Sequence, residues 1–478
     1  MRYLSTRSAG PGPATHSFED VLLAGLAPDG GLFVPETLPT LDPAALRGFG
    51  GLPYAELAAR IMGLFTAGAF DAAELRRLTG AAYGIFGHAA VAPLVQLDER
   101  LLLLELFHGP TLAFKDLALQ LVGRLFDAVL ARRHEHVTII GATSGDTGAA
   151  ALAACRDRAA LDIVMLYPHG RISEVQRRQM TTVDAANAHA IAIEGTFDDC
   201  QDIVKALFGD RTLRQELNLS AVNSINFARV AAQIVYYISA GLALGAGSGR
   251  AVSFSVPTGN FGNVYAGHLA RAMGLPIERL VIGTNANDIL ARYLVSGNMS
   301  IAPVVPSLSP SMDIQVASNF ERLLFELKGR NGTAVANDLS AFRERGMLPA
   351  DDQGWRRARQ LFAAYRVDDA MTLQTIADTY RCSGVLIDPH TAIAVAAARA
   401  EIGNEETATP VVALATAHPA KFPDAVARAT GIRPPVPEPV ADIMERRESV
   451  TILPNDVAAV GRFLRTHARR AQPNRGAA

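Results

Sequence analysis

The stretch AVSFSVPTGNFGNVYAGHLA, residues 251–270, decides the fold. Its first six residues are an apolar run rich in β-branched side chains, its middle is crowded with Gly and Asn, and its end has helical apolar spacing. A strand is expected to end at Val256 and a helix to start near Val264, with Gly259, Asn260, Gly262 and Asn263 between them. Glycines at such a corner let several backbone N–H groups converge, and the helix N-terminus adds partial positive charge. Taken alone, the corner is either a phosphate cradle or a tight turn that binds nothing. It is neither a Walker loop, since no Lys-Ser/Thr pair follows, nor a GxGxxG fingerprint.

The same design recurs in IIGATSGDTGAAALAA (139–154), where Thr143, Ser144, Asp146 and Thr147 bring hydroxyls and a carboxylate to the corner. Further short apolar runs, HVTII (136–140), DIVMLY (162–167), AHAIAI (188–193), LVIGT (280–284), GVLID (384–388) and VVALAT (411–416), alternate with helical segments. Continuous apolar strands separated by helices predict an α/β protein with parallel sheets covered on both faces. In open sheets of that kind, ligands bind beyond the carboxyl ends of the strands, where both corners belong.

At 478 residues the chain exceeds one ordinary core, so two or three domains are expected. Helices and loops fill the first 95 residues, ALGAGSGRA (243–251) reads as a junction, and the prolines at 303, 306 and 310 mark a loop over 300–312. A formal charge of −2 provides no broad field for nucleic acid or an anionic membrane. Cys155, Cys200 and Cys382 are too dispersed for a disulfide framework or a zinc cluster, which fits a reducing compartment. No signal-peptide pattern opens the chain and no run of 18 apolar residues occurs, so a cytoplasmic protein with no nucleic-acid, membrane or metal partner is expected.

One lysine stands out. In HGPTLAFKDLALQ (108–120), Lys115 sits among Leu112, Ala113, Phe114, Leu117 and Leu119, in a chain with four lysines against 41 arginines. Burial disfavours an ammonium and leaves an amine able to attack a carbonyl, as a Schiff base requires. With a phosphate cradle elsewhere, the chemistry points to pyridoxal phosphate. The alternative is a side chain that snorkels to the surface, paired with Asp116 or Asp127.

Ten stretches together resemble the threonine synthases of the longer bacterial and fungal type, pyridoxal-phosphate enzymes of fold type II. They are GLAPDGGLFVPE (25–36), HGPTLAFKD (108–116), ATSGDTGAA (142–150), YPHGRISEVQRRQMTT (167–182), NSINFARVAAQIVYY (223–237), PTGNFGN (257–263), TNANDIL (284–290), SPSMDIQVASNFERLLFEL (309–327), DPHTAIA (388–394) and TAHPAKFPDAV (416–426). The resemblance covers nearly the whole chain. It implies two parallel-sheet α/β domains like the β subunit of tryptophan synthase, with an added N-terminal segment. The expected divisions are an N-terminal segment over 1–95, a smaller domain with the lysine over 96–242, a larger domain with the phosphate loop over 243–464, and a basic flexible tail over 465–478.

By that resemblance Lys115 is the Schiff-base lysine, a role closed to Arg because a guanidinium stays protonated. Gly259, Asn260, Phe261, Gly262 and Asn263 hold the cofactor phosphate. Thr416 faces the pyridine nitrogen, where a hydroxyl does not favour a protonated ring and suits elimination more than transamination. Ser144, Asp146 and Thr147, with Thr143, bind the substrate carboxylate or the cofactor's ring oxygen. Arg171, Ser173, Asn226 and Arg229 are candidates for the substrate phosphate. His169 stands where the family often carries Lys, and Phe227 where it carries Trp. Lys421 is either a phosphate contact or a surface charge. His108 is a stacking or proton-shuttling group or a loop histidine; His16, His390 and His418 carry the same ambiguity, and Asp388 to Thr391 shape the site wall.

The implied reaction takes O-phospho-L-homoserine and water to L-threonine and phosphate, in a monomer or homodimer. Lys115 removes the Cα proton, a further proton leaves Cβ, phosphate departs from Cγ, the unsaturated product rearranges, and water adds at Cβ. A near rival loses the water addition and releases 2-oxobutyrate, phosphate and ammonia. A distant one binds a phosphorylated ligand and performs no chemistry.

Overall fold

The 251–270 stretch forms the strand Val252–Pro257, a short corner and the helix Gly262–Ala272, which starts two residues earlier than its apolar spacing predicts. In the computed structural model, residues 1–9, 12, 14–221, 224–404 and 408–469 are described. They fall into two units, each drawn from separated stretches: 1–80, 88–108 and 224–435 in the first; 81–87, 109–223 and the chain from 436 onward in the second.

The first unit is built on a six-stranded sheet in the order Phe362–Arg366, Ile277–Thr284, Val252–Pro257, Val411–Ala415, Leu101–Glu105, Leu94–Gln96. All neighbours are parallel except the last pair. Val411 lies opposite both Ser253 and Leu101, so the strands through residues 257, 415 and 105 share one carboxyl edge. The helix Phe227–Ala243 is buried over most of its surface and packs against Gly262–Ala272. Near its start, the buried Arg322 donates to Phe33 O (3.0 Å) and Ile225 O (2.5 Å), which ties the N-terminal strand Phe33–Pro35 into this core.

The second unit has a five-stranded sheet ordered Thr451–Pro454, Ala188–Glu194, Leu161–Pro168, Val137–Ala142, Leu219–Ser220, parallel throughout. Leu161–Pro168 is buried along its whole length, as a parallel strand covered on both faces must be.

Six of the seven apolar runs are strands. GVLID is not. Gly384, at φ +73°, closes the helix Asp369–Ser383, and Asp388 receives the N–H groups of His390 and Thr391 at the start of the next helix, Pro389–Asn404. Five residues separate the two helices and the outer two serve as caps; the three between them pair with no strand of the sheet, and Ile387 joins the core from a loop. Leu101–Glu105 is a strand that the sequence reading omits: a leucine run carries helix propensity, which pairing with Val411–Ala415 overrides. The 243–251 segment joins Phe227–Ala243 to Val252–Pro257 inside the first unit. Residues 300–312 hold only the short 3-10 turn Pro310–Met312, and of the basic tail the part beyond 469 lies outside the described residues.

Candidate active site

In the first unit the corner after Val252–Pro257 is a cup of backbone donors. The N–H groups of Gly259, Asn260, Phe261, Gly262 and Asn263 donate to no acceptor among the described residues, and no side chain caps the helix that follows. Five such groups at a helix N-terminus favour an anion. Phe261 sits in the left-handed region at φ +65°, a conformation that costs a residue with a Cβ about 1–3 kcal/mol. Its buried ring, against Phe320 (5.4 Å) and Phe362 (5.9 Å), holds it there. Asn263 Oδ1 accepts from Tyr236 OH (2.5 Å) and Tyr237 OH (2.9 Å), while its Nδ2 is buried with no hydrogen-bond partner.

Thr416 is buried one residue past Val411–Ala415, on the same sheet edge. His108 lies just beyond Leu101–Glu105, its Nε2 2.7 Å from Glu105 Oε2. His418 Nδ1 accepts from Ala420 N (3.1 Å), and burial pushes this ring down to about 4, so it is neutral. The buried pair His390 Nδ1 and Asp388 Oδ2 stands 2.8 Å apart, and the Thr391 hydroxyl also donates to Asp388. His16 is structural: it pairs with Tyr3 and packs edge-on to Phe33. Lys421 is fully buried, which rules out the surface-charge reading.

Asn226 caps the helix Phe227–Ala243 by accepting from Ala228 N (3.0 Å) and donates to Leu22 O (2.8 Å), so its amide is committed to the fold. Arg229, three residues on, is different. Its Nε and Nη1 are buried without partners, and burial pushes the guanidinium down to about 10. Phe227, in place of Trp, fills the core against Tyr3 and Phe65.

In the second unit Lys115 is the first residue of the helix Lys115–Arg133, its side chain 11% exposed. The preceding loop is folded back by Asp116, whose buried carboxylate accepts from Thr111 N (2.8 Å) and Thr111 Oγ1 (2.7 Å). Asp127 accepts from Ala160 N (3.1 Å). The carboxylate beside Lys115 is Asp146, at 3.6 Å from Nζ.

Asp146 opens the helix Asp146–Cys155 after Val137–Ala142. Thr143 shapes this corner: its Oγ1 accepts from Gly145 N (3.0 Å) and Gly148 N (2.8 Å), so the hydroxyl is spent on the turn. Ser144 is exposed and Thr147 half-buried. At the end of the adjacent strand Leu161–Pro168, His169 and Arg171 are exposed. Ser173 caps the helix Glu174–Thr181 in a reciprocal box with Gln176. Gln176 Nε2 then donates to Asp146 Oδ1 at 2.9 Å. Sequence reasoning left Gln176 unassigned, although the Ser-x-x-Gln spacing of a capping box is visible in SEVQ.

The second unit thus gathers Lys115, Asp146, Thr143, Gln176 and Ser173; the first carries the cup, Thr416, Asn226 and Arg229. Within the first unit the cup of N–H groups fits a phosphate, and within the second the largely enclosed amine of Lys115 fits a carbonyl carbon. Among the described residues no group of three or more His, Cys, Asp or Glu could hold a metal ion, and no helix is long and apolar enough to cross a membrane.

Comparison with known proteins gives the same chemistry. Residues 2–83 match the family "Threonine synthase N terminus", residues 85–344 "Pyridoxal-phosphate dependent enzyme", and residues 391–464 "Threonine synthase, C-terminal". The threonine synthase of Pseudomonas aeruginosa is 55% identical over 474 residues, covering 99% of this chain and all of that one. That of Corynebacterium glutamicum is 44% identical, covering 97% of this chain and 98% of its own. The crystal structure of PLP-bound threonine synthase from Brucella melitensis superposes with a TM-score of 0.95 at 49% identity, over 98% of this chain and 100% of that one.

Proposed function

This chain belongs to the threonine synthase family, and we infer from that premise that it converts O-phospho-L-homoserine and water to L-threonine and phosphate with pyridoxal phosphate as cofactor. The observation that carries the reading is Lys115, held largely enclosed beside Asp146 in a chain 55% identical to a threonine synthase over nearly its whole length. Bound there, the cofactor supplies an electron sink for charge developing on the substrate carbons.

Lys115 would hold the cofactor's carbonyl carbon, and its amine is the group to take the proton from the substrate Cα. Asp146, fixed by Gln176, keeps that amine in place between transfers. The cup from Gly259 to Asn263 would hold the cofactor phosphate, and the Thr416 hydroxyl would be the partner of the pyridine nitrogen. Arg229, with unpartnered guanidinium nitrogens, and the exposed Arg171 are the cations suited to the substrate phosphate, with Asn226 and Ser173 orienting the turns that carry them. Ser144 and Thr147, at the start of a helix, receive the substrate carboxylate; Thr143 acts through the turn it folds. The enzyme works in the cytoplasm as a monomer or homodimer.

The test is product analysis with purified protein, pyridoxal phosphate and O-phospho-L-homoserine. Threonine formed in step with phosphate supports the synthase reading. Release of 2-oxobutyrate and ammonia in its place would move the chain to the phospholyases that lack the water addition.

A further inference from the structure

The cup is not self-supporting. A Cβ placed on Gly259 would stand 2.9 Å from Ser311 O and 3.3 Å from Met312 Cα, so the 300–319 loop presses directly on it. The same loop holds the next residue: Asn260 O accepts from Asn319 N (3.0 Å) and Asn319 Nδ2 (3.1 Å). Within that loop the only regular element before Asn319 is the three-residue turn Pro310–Met312, so its shape has to come from side chains.

Asp369 Oδ1 accepts from Leu308 N (3.1 Å), and a second carboxylate gathers the segment around it. Asp313 Oδ1 accepts from Asn285 Nδ2 (2.7 Å), Asn287 Nδ2 (3.0 Å) and Ser307 Oγ (2.6 Å), and Oδ2 accepts from Ser307 N (3.0 Å). Asn285 Nδ2 also reaches Ser307 Oγ (2.8 Å) and Ser309 Oγ (3.0 Å), and Asn287 clamps Val305 through both its backbone N (2.8 Å) and O (2.8 Å). Asn285 and Asn287 follow the strand Ile277–Thr284 directly, and Thr258 N donates to Gly283 O (2.9 Å) near that strand's end. The network therefore ties the loop to the strand beside the cup.

We propose that Asp313 is a positioning residue for the cofactor phosphate: it gathers Asn285, Asn287 and Ser307 and so fixes Ser311, Met312 and Asn319 against Gly259 and Asn260. A carboxylate can accept all these donors; an amide of the same size cannot, because half of it is a donor. The inference rests on the reading of the cup as the cofactor's phosphate site.

The experiment titrates cofactor-free protein with pyridoxal phosphate and, separately, with pyridoxal, which lacks the phosphate. Thermal unfolding of each cofactor-free variant is recorded alongside. In Asp313→Asn the affinity for pyridoxal phosphate falls by about tenfold or more while that for pyridoxal holds within about twofold. Ser307→Ala, which removes one donor and spares the carboxylate, moves the ratio the same way by a smaller factor, and serves if Asp313→Asn does not fold. Arg292→Ala is the control, since Arg292 grips the same loop at Ser300 (2.9 Å) and Gln315 (3.3 Å) without bonding to any member of the Asp313 network; it leaves the ratio unchanged. Unaltered affinities in Asp313→Asn, equal loss of both ligands, or an Arg292→Ala effect as large as that of Asp313→Asn would each overturn the proposal. A wild type that does not favour pyridoxal phosphate over pyridoxal would instead sink the reading of the cup itself.

Discussion

Lys115 Nζ lies 3.6 Å from Asp146 Oδ2, and the other oxygen of that carboxylate is held by Gln176. Because Gln176 also accepts from Ser173 N through Oε1 (3.3 Å), its amide has one orientation, with Nε2 toward Asp146. The counter-charge of the largely enclosed amine is thus set by the capping box of a neighbouring helix.

Lys115→Ala abolishes covalent capture of the cofactor and lowers turnover by more than about 10³-fold, since the anchor and the proton carrier are lost together. Lys115→Arg keeps the charge and restores neither. Borohydride reduction followed by peptide mass spectrometry checks this: a cofactor adduct on any other residue in the wild type would refute the assignment.

Gly123→Ala destabilises the protein although alanine is the better helix former. A Cβ on Gly123 would stand 2.7 Å from Ala154 O, where the helices Lys115–Arg133 and Asp146–Cys155 pack together. Overpacking of about 1–3 kcal/mol outweighs a propensity gain of about 1 kcal/mol. The melting temperature falls; a rise would show that the two helices can separate freely.

Stability declines as pH falls from about 6.5 to about 4. Burial pushes both His268 and His418 down to about 4, and His268 Nδ1 has no hydrogen-bond partner. Between those values the unfolded chain binds protons that the folded one refuses, so folding free energy is lost on acidification and fully retained above 6.5. The loss is about 3 kcal/mol per histidine. Denaturant unfolding at pH 7 and pH 4.5 measures it, and His268→Gln reduces the difference; an equal difference in both proteins would exclude His268 as a source.

Of the three thiols, Cys382 alone reacts quickly in the native protein. Burial pushes Cys155 up to about 12 and Cys200 up to about 11, which removes the thiolate at neutral pH, whereas Cys382 is exposed. Titration with an aromatic disulfide gives one fast equivalent natively and three after denaturation, and Cys382→Ser removes the fast one.

The α/β class and most core strands were legible because a parallel strand covered on both faces must be continuously apolar, as Leu161–Pro168 is. Leu101–Glu105 was not, since its strand character comes from a partner more than 300 residues away. GVLID carried a strand's composition but lay between Gly384 and Asp388, whose capping roles outrank a three-residue apolar run. Lys115 stood out in its apolar setting, which left a Schiff base and a snorkelling side chain both open; only the resemblance chose between them. Gln176, Asp116 and Asp313 were not legible, because each acts by filling the hydrogen-bonding capacity of a group that only the fold brings near.

The order of strands in the first sheet also bears on how the chain is made. Val411–Ala415 lies between Val252–Pro257 and Leu101–Glu105, so the strand made first in that trio has no parallel partner until the strand made last appears. At about 5–20 residues per second, the hairpin of Leu94–Gln96 and Leu101–Glu105 waits roughly 15–60 s on the ribosome with one edge open. The second sheet waits in the same way for Thr451–Pro454 to cover Ala188–Glu194. A nascent chain that stalls after Pro257 therefore exposes leucine-rich strand edges to chaperones and proteases, and a message truncated late yields a chain marked for destruction rather than a partial enzyme.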